Sequence, residues 1–93
     1  MAVSTIRISN DLPLIDVSAT QTVNSVITRP CIFHLAPNVA DAPSADTGFV
    51  GLSIFWGNNY HFLFASSYSS GNLFYTYRTS SGALKTPWVR LTN

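Results

Sequence analysis

The chain has 93 residues and a mass of 10.1 kDa, a size that makes one small domain burying about 60–70% of its unfolded surface and excludes a second. Five Lys and Arg stand against four Asp and no Glu, and charged residues are only 10% of the chain, far below the usual ~25%, which excludes a basic nucleic-acid-binding surface. A hydrophobic content of 46% with 13% aromatics excludes intrinsic disorder, because such a chain can bury enough apolar surface to offset its conformational entropy.

The chain is short of helix formers and rich in hydroxyls: one Lys, one Met, no Glu, and 21 Ser or Thr. Thr and aromatic residues pack well on a pleated surface, so the whole chain reads as all-β. Residues 5–9 alternate, with Ile6 and Ile8 on one face; 14–17 form a weaker second run. Arg7 also interrupts the apolar core that a secretory signal would need, so synthesis in the cytoplasm without a signal peptide is expected. Residues 23–28 and 31–35 read as one strand broken at Arg29-Pro30. Proline donates no ladder hydrogen bond, which predicts a sheet edge or bulge there. Residues 36–47 carry Pro37, Asn38, Asp41, Pro43, Ser44 and Asp46 and form the one long loop.

Residues 49–56 alternate strictly. Val50, Leu52 and Ile54 are the predicted core face, opposite Phe49, Gly51, Ser53 and Phe55. Gly57-Asn58-Asn59 suits a tight hairpin turn into 60–65, where Tyr60, Phe62 and Phe64 share a face. A polar turn over 66–72 leads to a strand at 73–78, with Leu73, Tyr75 and Tyr77 opposite Phe74, Thr76 and Arg78. After a turn over 79–87, a short strand at 88–91 is expected, because Trp88 needs burial. The longest nearly apolar run, 48–56, is about half of the ~20 residues of a membrane-spanning helix, so no membrane insertion is expected.

Chemical sites are sparse. A nucleophilic centre needs Ser or Cys beside an oriented His, and only His34 and His61 exist, without a nucleophile-elbow motif. Cys31 and His34 are three apart, which in a strand sends them to opposite faces and disfavours a shared metal. Cys31, the single cysteine, can form no internal disulfide and reads as a small buried hydrophobe. Asp11, Asp16, Asp41 and Asp46 fall in or beside predicted turns, where backbone capping is the ordinary role. No cofactor and no metal are expected. The distinctive feature is the set of amphipathic rings, and Trp56, Tyr60 and His61 flank a turn, where binding residues concentrate.

From Pro43 onward the features fall in a specific order. Asp41-Ala42-Pro43 precedes the Gly-led strand Gly48-Phe49-Val50-Gly51-Leu52-Ser53-Ile54, then Tyr60-His61-Phe62-Leu63-Phe64-Ala65. Phe74-Tyr75-Thr76-Tyr77-Arg78-Thr79-Ser80-Ser81-Gly82 and a closing Thr86-Pro87-Trp88-Val89-Arg90-Leu91 follow. This order resembles the C-terminal knob domains of bacteriophage tail fibres and R-type pyocin fibres, with Lys85 standing where the first Trp of the family's closing W-S-P-W falls. The likeness covers residues 36–93 of a single 1–93 domain; 1–35 match nothing comparable.

The resemblance implies a small antiparallel β-sandwich or barrel-like domain assembled as a homotrimer at the tip of a virion fibre or tailspike, joined to its shaft. It implies adhesion without catalysis, to a bacterial surface polysaccharide or lipopolysaccharide. The expected ligand-binding residues are Trp56, Asn58, Asn59, Tyr60 and His61, with Tyr75, Tyr77, Arg78 and Trp88 as a second cluster. A trimer also accommodates the composition, since so many apolar side chains exceed what one core of this size shelters. Two alternatives compete: a trimerisation module without a ligand, and a depolymerase fragment using the few carboxylates.

Overall fold

The computed structural model describes residues 12–57 and 59–92. The strand expected over 5–9, and Asn58, lie outside the described residues. Six strands form one sheet in chain order: β1 (Leu14–Val17), β2 (Cys31–Leu35), β3 (Phe49–Trp56), β4 (Tyr60–Ser67), β5 (Leu73–Tyr77) and β6 (Val89–Arg90). β1 and β2 run parallel and the remaining neighbours antiparallel. The all-β expectation therefore stands at the level of a mostly β domain. The sheet is mixed, however, and within one chain it is a single layer rather than a sandwich.

The connection from β1 to β2 contains the only helix among the described residues, the single turn α1 (Val23–Val26). A strand was expected here from the β-branched run. Two caps decide otherwise. The Thr22 hydroxyl accepts from Ser25 N, and both Asp41 carboxylate oxygens accept from the free N–H groups of Val23 and Asn24 at 2.7 and 2.9 Å, which satisfies the donors that a helix start leaves open. Pro30 also behaves differently from expectation. It sits just before the ladder begins at Cys31, and β2 is an internal strand between β1 and β3.

Side chains alternate across the sheet, and its two faces differ. On one face Val17, Cys31, Phe33, Leu35, Phe49, Leu63 and Ala65 form the core, closed by Val23, Ile27, Val39, Leu84 and Trp88 from α1 and the loops. The second layer is thus made of irregular segments, including the long loop after β2. Cys31 is buried there as a free thiol, and burial pushes its pKa up.

The opposite face is open. A row of apolar side chains crosses all six strands in register: Leu14, Ile32, Leu52, Phe64, Tyr75 and Val89. The trio Val50, Leu52 and Ile54, expected in the core, lies on this face with 50%, 37% and 40% of its surface exposed. The core takes Phe49, Gly51 and Ser53 instead. Both faces of β3 are apolar, so alternation alone does not choose between them. The choice follows from Phe33, which is paired with Gly51 and lies over it so closely that a Cβ there would sit 2.3 Å from the ring.

Candidate functional site

β4 is longer than β5 at the hairpin end. Strand pairing between them ends at Phe62 with Tyr77, one further backbone bond joins Arg78 N–H to His61 O at 3.0 Å, Tyr60 runs on beyond it, and Gly57, at φ 65°, turns the chain from β3. The overhang leaves a cleft of about 710 Å³ at this corner. Tyr60, Phe62, Tyr75 and Tyr77 line it from the open face, Asn59 from the hairpin, and Phe55, His61, Arg78 and the turn residues Thr79, Ser80 and Gly82 from the other flank. The two residue clusters chosen from sequence therefore meet: Asn59, Tyr60 and His61 come together with Tyr75, Tyr77 and Arg78.

The remaining candidates are placed elsewhere. Trp56 stands on the open face, 76% exposed, opposite Tyr60 across the hairpin but outside the cleft. Trp88 is buried in the core, and its indole N–H donates to Asp41 O at 2.7 Å.

His61 and Arg78 form the inner flank by bonding to the protein itself. His61 is 4% exposed, stacked on Phe55 with ring centroids 3.9 Å apart. Arg78 Nε donates to His61 Nδ1 at 2.9 Å. An arginine nitrogen only donates, so Nδ1 is the acceptor and the imidazole proton sits on Nε2. That N–H donates to Ser53 Oγ at 2.6 Å, and Ser53 in turn donates to Arg29 O at 2.8 Å. A nucleophilic serine requires the reverse polarity, with Nε2 accepting from the hydroxyl. The Ser53–His61 pair is wired as a structural bond. Burial and the neighbouring guanidinium lower the His61 pKa to about 4, so the ring is neutral at physiological pH.

The other donors of Arg78 are equally committed. Nη1 reaches Asn24 Oδ1 at 2.6 Å and Gly82 O at 3.0 Å, and Nη2 reaches Asn24 O and Ile27 O at 2.8 and 2.6 Å. All five N–H groups of a guanidinium are thus used within the chain, clamping β5 to α1 and to the 79–83 turn. Desolvation lowers its pKa while Asp41 opposes that shift.

A second polar group lies at the other end of the open face. Asp16 lies in β1, within the run expected over 14–17, and its carboxylate meets His34 Nδ1 at 3.0 Å, while His34 Nε2 contacts the Tyr68 hydroxyl. Sequence reading missed this trio, since Asp16 and His34 become neighbours only through the parallel pairing of β1 with β2. Beside it is a shallow cleft of about 240 Å³ lined mainly by Leu14, Ile15, Ile32, Phe33 and Val50. No group of three or more His, Cys, Asp or Glu side chains that could hold a metal exists among the described residues. No family model, curated protein or solved structure matches the chain.

Proposed function

We propose that this chain is a fibre-tip attachment domain: a homotrimer that binds a bacterial surface glycan through the corner cleft of each copy, without cleaving it. The observation that carries the reading is the cleft, where Tyr60, Tyr75 and Tyr77 supply ring faces and hydroxyl tips beside the Asn59 amide. Aromatic faces attract the C–H-rich side of a sugar ring, while amides and hydroxyls satisfy its hydroxyls. The open apolar row supports assembly. Its partner must be as uncharged as itself, and a second copy presents such a face; exposed apolar patches of this extent mark interaction surfaces. The resemblance to tail-fibre tips sets the number at three. Stacking of open faces would also supply the second β layer that a single chain lacks. The row runs through the middle of the sheet and meets the cleft at its hairpin corner through Tyr75, which belongs to both.

Three weak sites on one particle raise avidity by up to ~100- to 10,000-fold. The test is binding of the assembled protein to isolated host polysaccharide beside its mass by light scattering. Tyr60→Ala is expected to abolish binding while leaving mass and melting temperature near those of the wild type. Loss of fold in that variant would reassign Tyr60 to packing. A purely structural trimerisation module is favoured by the same open face, and predicts the trimer with no glycan affinity at all.

A further inference from the structure

We infer that the cleft selects neutral saccharides and rejects acidic ones, an inference that rests on the glycan-binding reading above and names the ligand class of that site. An acidic sugar brings a carboxylate or phosphate, and taking such a group out of water without a counter-charge is strongly unfavourable. A site for it therefore needs a cation with unused donors. Among the described residues this cleft has none: Arg78 is its one ionised side chain. Every N–H of that guanidinium already bonds within the chain, and the Asp41 carboxylate lies near enough to act on its charge.

The imidazole nitrogens of His61 offer nothing to an anion either. His61 uses Nδ1 as acceptor for Arg78 and Nε2 as donor to Ser53. What remains for a ligand is neutral. Among the described residues, the Asn59 amide, the Ser80 hydroxyl and the hydroxyls of Tyr60, Tyr75 and Tyr77 have no partner in the chain. These are donors and acceptors matched to sugar hydroxyls, set around aromatic faces suited to a pyranose ring. Among the described residues the cleft also contains no Asp or Glu, so a bound neutral ligand meets no carboxylate pair for hydrolysis.

The experiment titrates the intact full-length protein with two sets of oligosaccharides followed by calorimetry: neutral fragments of glucan, mannan and rhamnan, and acidic fragments of hyaluronan, polygalacturonate and polysialate. Expected are binding to at least one neutral set member, acidic binding at least about tenfold weaker, and a neutral affinity that changes less than about twofold between ~0.02 and ~0.5 M NaCl, since no ion pair is there to be screened. Tyr77→Ala, checked for fold by its melting curve, should lose the neutral ligand; if it does not fold, Asn59→Ala takes its place with the same expectation. Preference for the acidic set, with affinity falling as salt rises, overturns neutral selection while leaving glycan binding in place. Absence of binding to either set by a correctly assembled protein overturns the glycan reading itself, and this inference with it.

Discussion

Arg78 is the residue on which the corner of the molecule depends, because its planar fork joins four separate pieces of chain: β4 through His61, α1 through Asn24, the segment after α1 through Ile27 O, and the following turn through Gly82 O. A lysine keeps the charge but has three donors on a point-like ammonium and cannot reproduce that geometry. Arg78→Lys should therefore destabilise the fold by about 2 kcal/mol or more, since at least two partly buried acceptors lose their partner; urea melts would measure it, and an unchanged midpoint would contradict the clamp. His61 gives a pH signature of defined sign. Its folded pKa of about 4 lies below the ordinary value near 6.5, so between those values the unfolded chain binds the proton and the folded one does not. Stability is then full above about pH 6.5 and falls as the pH drops towards 4, by at most about 3 kcal/mol. His61→Gln should be less stable at neutral pH but lack that part of the slope, which melting temperatures across pH 4–7.5 would reveal.

At the scale of elements, β3 and β4 are held in register by side-chain shape as much as by hydrogen bonds. Gly51 admits the Phe33 ring and the Phe64 carbonyl, both of which would lie 2.3 Å from an added Cβ. Gly51→Ala should cost about 3 kcal/mol or prevent folding, in the upper range of overpacking penalties. At Gly57, φ is 65° but nothing lies within 4 Å, so Gly57→Ala meets only the conformational penalty of about 1 kcal/mol. Thermal melts of the two variants separate steric from backbone effects, and equal losses would contradict the packing of Phe33 against β3. These elements also mark what can be read from a linear chain. The hairpin at Gly57 and the strands around it are legible, because alternation and turn chemistry are local. Which face of β3 is buried is not, because both faces are apolar and the decision lies with Phe33 in another strand. α1 is hidden for the same reason: its second cap, Asp41, stands well beyond it in sequence. The cleft residues are recognisable individually, but Arg78 looks like a ligand contact until Asn24, 54 residues away, is seen to occupy it.

For the molecule as a whole, the decisive quantity is the fate of the open face. A row of Leu14, Ile32, Leu52, Phe64, Tyr75 and Val89 crosses the entire sheet, and the exposed part of each of Leu14, Leu52, Phe64 and Val89, from 37% to 67% of the residue, is worth about 1 kcal/mol when removed from water. Association must overcome an entropic cost of about 4–15 kcal/mol, which several residues together can offset and one or two cannot. A charge placed in the middle of the row is therefore the sharpest probe. Leu52 is the central choice, since it lies between Ile32 and Phe64 in that row and its side chain makes no contribution to the core cluster. Leu52→Lys should sediment as single chains at concentrations where the wild type sediments as trimers, while keeping the β-type circular dichroism of the folded sheet. Because assembly stabilises only the folded state, the wild-type melting temperature should rise with protein concentration, and that of Leu52→Lys should stay constant. A wild type that sediments as one chain across a dilution series, with a concentration-independent melt, would remove self-association as the reason this face is apolar, and the proposed three-site avidity would go with it.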